Sequence, residues 1–180
     1  MSSLDTDVVA LVASGARDQA FGKLYDEYGM RLFRLCRSMA RSDVDDAFQE
    51  VLLGIYSALP RFRSESKLFT WCYRIAVRVT LRHIARQQRF EPGEDPEAIA
   101  VRATTGPDAV QSDEEIERIR NAIDELPLIY RLPILLHARN AHDTAEIAAI
   151  LGVSVATIWT RLHRGRRRLA AALGLDQGTT

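Results

Sequence analysis

The chain has little cysteine, no long apolar run and no net charge. Only two of its 180 residues are cysteines, Cys36 and Cys72. Both fall inside helical apolar patterns without metal-ligand spacing, which points to buried, reduced thiols and away from a disulfide scaffold. The longest stretch free of charge, residues 147–160, is 14 residues long. A bilayer needs about 20 apolar residues, so no membrane insertion is expected. The first seven residues contain Asp5 and Asp7 and no basic side chain, unlike a secretory signal, and a cytoplasmic location is expected. Sustained two-residue alternation with β-branched enrichment is also missing, so essentially no sheet is expected.

The zero net charge is a cancellation. Residues 1–60 carry 6 basic and 9 acidic side chains, 61–90 carry 8 and 1, 91–125 carry 3 and 11, and 126–175 carry 7 and 2. A polyanion responds to the potential within a Debye length of roughly 8–10 Å. Each basic block can therefore meet a phosphate backbone separately.

Helical periodicity dominates what is present. Residues 20–39 place Phe21, Leu24, Tyr25, Tyr28, Leu32, Leu35 and Cys36 on one side. Residues 44–59 do the same with Phe48, Val51, Leu52, Ile55 and Leu59, and residues 68–89 with Leu68, Trp71, Cys72, Ile75, Val79 and Ile84. From Phe90 to Gln111 the pattern lapses among Pro92, Gly93, Pro96, Gly106 and Pro107, as in a linker. Helices resume at Ser112, an N-cap residue followed by acids in the first turn. The expected fold is all-α: an N-terminal segment 1–19, a helical domain 20–90, a flexible linker 91–111 and a second helical domain 112–175.

The strongest local signal is TAEIAAILGVSVATIWTRL at 144–162. Ala148 lets two helices cross closely, Gly152 suits a left-handed turn, and Ser154 is a natural N-cap for the next helix. Val153 and Ile158 are apolar where that helix packs back. This is a helix-turn-helix pattern, and the second helix runs on into Arg161, His163, Arg164, Arg166, Arg167 and Arg168. Five arginines in eight residues exceed what a helix dipole needs, so DNA binding is expected.

A second basic element lies at 62–89. Arg74, Arg78, Arg82 and Arg86 recur every four residues as one slowly drifting stripe. Phe62, Phe69, Trp71 and Tyr73 lie near its start, and aromatics can stack on unpaired bases. Trp71 taken alone reads as core. Together with the polar loop residues Ser64, Glu65 and Ser66, the pattern favours contact with a single strand. Upstream, Asp46, Gln49 and Glu50 fall at i, i+3 and i+4 opposite the apolar stripe, an acidic and amide face suited to a basic helical partner.

Five motifs, DVDDAFQEV, FRSESKLFTWCYRIA, LP…YRLPILL, EIAAILGVSVATI and TRLHRGRR, appear in an order and at distances that resemble the extracytoplasmic-function sigma factors of bacteria. The resemblance covers about residues 20–90 and 112–173. It implies two helical domains, regions 2 and 4, that bind core RNA polymerase and direct promoter-specific initiation. By motif match, Asp46, Gln49 and Glu50 would face the polymerase β′ coiled coil. The loop 63–68, with Arg63, Ser64, Glu65 and Ser66, would hold a flipped −10 base, and Trp71 would also contact the −10 element. Arg74, Arg78 and Arg82 would follow the strand. Trp159, Thr160, Arg161, His163, Arg164 and Arg167 would meet the −35 duplex. The polymerase β flap and an anti-sigma factor are further implied partners.

Two departures stand out. Trp159 occupies a position where the family usually has Lys or Arg. Asn140-Ala141-His142-Asp143 replaces the common acid-Gly-Leu-Ser turn, although Asp143 can still cap the next helix. Pro133 either opens or kinks the first helix of the second domain. A plain helix-turn-helix regulator would leave the Asp46 face and the Trp71 region unexplained, and a decoy that only sequesters an anti-sigma factor would have no need of the basic runs. Hydrolysis by His137, His142 and Asp143 lacks a nucleophile motif and metal spacing. No enzymatic activity, cofactor or metal is expected.

Overall fold

A computed structural model of the chain describes residues 3–40, 43–87, 114–140 and 143–175, with backbone alone at 139–140. The linker expected at 91–111 and the cap expected at Ser112 lie outside the described residues. Every regular element among the described residues is a helix, and the chain divides into two compact units, 1–90 and 91–180.

The first unit contains α1 (Ser3–Ala13), α2 (Arg17–Met39), α3 (Val44–Ala58), a 3-10 turn (Leu59–Arg61) and α4 (Leu68–Gln87). Spacings of three and four residues bring Leu24, Tyr28, Leu32, Leu35 and Cys36 of α2 to one face. They pack with Ala47, Val51 and Ile55 of α3 and with Leu68, Cys72, Ala76 and Ile84 of α4. Full burial of a large aliphatic side chain is worth about 1.5–3 kcal/mol, so this three-helix core holds the unit together. Both thiols are buried within it. Burial pushes Cys36 up to about 11 and raises Cys72 as well, which leaves both as inert apolar groups.

Within the N-terminal segment 1–19, Ser3–Ala13 forms α1 and α2 opens at Arg17. Helix α1 packs on α2 and buries Asp5 and Val8, after which Gly15 turns the chain at φ 79°. Tyr28 lies beneath, its hydroxyl pushed up to about 12 by burial and then by the charge of Asp5. The end of α3 is tied to α2. The Arg17 guanidinium lies 3.7 Å from the centre of the Tyr56 ring, its Nε donates to the Tyr56 carbonyl at 2.9 Å, and the Tyr56 hydroxyl donates to Asp18 at 2.7 Å.

The second unit contains α5 (Glu114–Asp124), α6 (Leu128–Asn140), α7 (Thr144–Leu151) and α8 (Val155–Ala172). Arg131 is fully buried and donates to the Asp124 carbonyl at 2.9 Å, satisfying an acceptor at the end of α5. Pro133 stands inside α6 and does not open it, since α6 begins five residues earlier. Asp143 caps α7 by accepting from the Glu146 amide at 2.7 Å. Gly152 follows at φ 69°, and the Val153 amide returns to the Ala148 carbonyl at 3.1 Å. Ser154 then caps α8 by accepting from the Thr157 amide at 3.1 Å. Helices α7 and α8 are bent by 101° at this turn, the geometry of a helix-turn-helix. Ile147, Ala148 and Ile150 are buried on α7, and Ile158 and Leu162 on α8.

Candidate nucleic-acid and partner interfaces

The first surface is the outer side of α3. Ala47, Val51 and Ile55 point into the core, which turns Asp46 and Gln49 to solvent. Leu53 continues that outer row one turn on and is 65% exposed, an apolar side chain the sequence reading does not single out. Glu50 belongs to the same row but is engaged within the unit. Arg86 of α4 donates through Nη2 to both of its carboxylate oxygens, and His83 Nδ1 lies 3.1 Å from Oε1. Gln87 Nε2 lies 3.0 Å from His83 Nε2 and also donates to the Asp43 carboxylate. Burial acts to raise the Glu50 carboxyl, but the hydrogen bonds from His83 and Arg86, together with Arg86's charge, outweigh it and hold the group below the usual carboxylate range.

The second surface is the loop before α4 and the outer side of α4. Arg63 and Glu65 are exposed, while Ser64 and Ser66 are half-buried. Ser64 has a left-handed backbone, φ 56°, and its buried hydroxyl meets no partner among the described residues. Arg74, Arg78 and Arg82 are exposed along α4. Arg86, which the periodicity places on the same stripe, is drawn away to Glu50. The aromatics divide. Phe62 and Tyr73 are core residues, 7% and 1% exposed, and so are not available for stacking. Trp71 is half-buried with its ring 5.1 Å from Phe62, and Phe69 packs 3.9 Å from Tyr73 and 5.5 Å from Tyr28.

The third surface is α8. Its inner row is Ile158, Arg161, Leu162 and Gly165, all buried. Arg161, expected to meet the −35 duplex, sits on the packed side at 9% exposure. Thr160, Arg164 and Arg167 form one exposed row at i, i+4 and i+7, and Trp159, His163 and Arg166 form the adjoining one. Thr160 bonds back to the Ala156 carbonyl at 3.0 Å, and Trp159 is 58% exposed. Arg168 reaches over the Tyr130 ring of α6 at 5.1 Å. The second unit thus offers a dense cationic surface around a helix that a major groove can accept.

The two units match, in chain order, Sigma-70 region 2 over residues 24–90 and Sigma-70 region 4 over residues 116–169. Over 181 aligned residues the chain is 32% identical to the ECF RNA polymerase sigma-E factor of Escherichia coli (strain K12), covering 94% of this chain and 95% of that one. The chain belongs to the extracytoplasmic-function sigma factors. It is also 29% identical over 174 residues to the ECF RNA polymerase sigma factor SigM of Mycobacterium tuberculosis, covering 94% and 85% of the two chains. Among solved structures, CnrH in complex with the cytosolic domain of CnrY matches with a TM-score of 0.68 and 26% identity, over 97% of this chain and all of that one. The sigma factor RpoE of Bartonella quintana, in complex with the anti-sigma factor NepR, shares the fold at a TM-score of 0.66 and 20% identity, over 87% and 98% of the two chains.

This sigma factor is accordingly a transcription initiation factor, not an enzyme, and directs promoter-specific transcription by RNA polymerase. No single described helix is long and apolar enough to cross a membrane. The sequence reading missed the grip of His83, Arg86 and Gln87 on α3. Their i, i+3, i+4 spacing marks a common face, but nothing local names partners 33 to 44 residues away.

Proposed function

We propose that the first unit docks on the β′ coiled coil of core polymerase through the α3 face that carries Asp46, Gln49 and Glu50, and that it recognises and helps to melt the −10 element through the loop and stripe of α4. Arg63, Ser64, Glu65 and Ser66 hold a flipped base beside Trp71, and Arg74, Arg78 and Arg82 follow the strand. The second unit meets the β flap and reads the −35 duplex with Trp159, Thr160, His163, Arg164 and Arg167, while Arg161 supports the helix from its packed side. The factor acts in the cytoplasm. An anti-sigma factor is a further partner, as one is for the RpoE structure that shares this fold.

The observation that carries the −10 assignment is Ser64. A left-handed serine with a buried, unmatched hydroxyl is costly to keep, and its loop leads directly into α4, the helix that carries the exposed arginine row. A base edge entering the loop can supply the missing hydrogen bond. The test is transcription with core polymerase from a promoter library randomised at −10. Glu65→Gln and Arg63→Ala should change the preferred base at one −10 position. A uniform loss across all sequences, with the preference intact, would contradict base capture by this loop.

A further inference from the structure

The joint between the start of α3 and the end of α4 is more elaborate than core packing requires. Asp43 takes a left-handed backbone, φ 53°, and makes no side-chain cap bond to α3, although aspartate is among the best capping residues. Its carboxylate is instead held by Gln87. One turn earlier in α4, His83 is 6% exposed and reaches Glu50, while Arg86 covers both Glu50 oxygens. The donors and acceptors match in one direction. Arg86 and His83 Nδ1 donate to Glu50, and the Gln87 amide gives one hydrogen to His83 Nε2 and the other to Asp43. Three residues from one turn of α4 thus hold the first two turns of α3, and those turns carry Asp46 and Gln49.

We propose that His83, Arg86 and Gln87 are positioning residues for the polymerase-facing end of α3, and that Glu50 serves core binding through this grip instead of touching polymerase itself. The inference rests on the reading that the α3 row meets core polymerase. The start of α3 lacks its own cap, so its pose is set from α4. A planar guanidinium on a carboxylate fixes direction as well as distance. Arg86 stands at the end of the arginine series on α4 but turns inward, so the helix bearing the DNA-facing row and the helix bearing the polymerase-facing row share one hydrogen-bonded joint.

The test is a double-mutant cycle on core-polymerase affinity, using the full chain at a temperature where every variant is folded. Arg86 has a 56% exposed side chain, so Arg86→Ala leaves the core packing in place. Arg86→Ala should weaken core binding roughly tenfold, within the range for coupled neighbours. Glu50→Gln should do the same, and the double variant should be no worse than either single one. Arg86→Lys, which keeps the charge and loses the fork, should recover part of the affinity. If Arg86→Ala leaves affinity unchanged or raises it while Glu50→Gln weakens it, Glu50 contacts polymerase directly and the proposal is overturned. Additive losses overturn it as well. Asp46→Lys, measured alongside, separates the two readings. Loss there with no loss at Arg86→Ala removes the grip alone, whereas no loss at Asp46→Lys removes the interface and the grip together.

Discussion

Gly165 of α8 lies so close to Ile134 of α6 that a Cβ on the glycine would stand 2.8 Å from Ile134 Cδ1, and it would also meet Tyr130 Cβ at 3.2 Å. A glycine inside a run of arginines looks like a flaw in the helix, yet here it lets the basic helix seat against its support.

Gly165→Val should therefore displace α8. Overpacking of this kind costs about 1–3 kcal/mol, more than the few tenths of a kcal/mol of helix propensity that valine gains over glycine. The expected result is a lower urea midpoint together with weaker −35 duplex binding, measured by denaturation and by titration of a labelled duplex. Gly165→Ala should be milder, because Ile134 Cδ1 is the far end of a flexible side chain.

Arg161 and Arg164 should separate cleanly. Arg164 is exposed on the row with Thr160 and Arg167, so Arg164→Ala should leave stability nearly unchanged. If it reads a base, the substitution should cost about 1–3 kcal/mol of duplex affinity and relax preference at one position. Arg161 is packed beside Ile158 and Leu162, so Arg161→Ala should lower the thermal midpoint first. Equal stability losses for the two variants would contradict this division. Trp159→Lys, at an exposed position, should change −35 preference without unfolding the unit.

The regular elements were largely legible because their causes are local. A four-residue apolar recurrence gives α2, α3 and α4, and Asp143, Gly152 and Ser154 cap and turn α7 and α8 through contacts no more than five residues away. What was not legible depends on partners distant in sequence. Arg131 and Arg161 look like solvated cations but are buried, since charge alone does not tell which row of a helix faces inward. Arg86 continues the period of Arg74, Arg78 and Arg82, and only the fold shows Glu50 beside it. Helix α1 escaped because its buried positions include Asp5, which no apolar pattern selects.

Arg78 and Arg82 have no ion-pair partner among the described residues. If they follow a DNA strand as proposed, each neutralises a phosphate. Arg78→Ala and Arg82→Ala should then weaken promoter-complex formation evenly across sequences. Each should lower the slope of log affinity against log salt by about one. A change of sequence preference with the slope intact would reassign them to base contact.

Glu50 gives a pH dependence of definite sign. Its folded pKa lies below the ordinary carboxylate value of 4.5 because bonds from His83 and Arg86 outweigh the opposing effect of burial. A depressed carboxyl contributes stability that is fully present above the unfolded pKa and lost as pH falls through the folded one. Glu50→Gln should be less stable than the parent at neutral pH. The gap should close as pH drops below about 4.5, as read from urea midpoints across that range. A gap independent of pH would show that the ionised carboxylate is not what holds the joint.

The most direct measurement of the central claim is transcription with purified core polymerase over a randomised promoter library, with and without the full-length factor. Initiation should depend on the factor, at sites sharing spaced −35 and −10 elements, with Asp46→Lys reducing initiation at all of them and Arg164→Ala relaxing preference at −35 alone. Factor-independent initiation, or factor-dependent sites with no common −35 and −10 sequence, would contradict it.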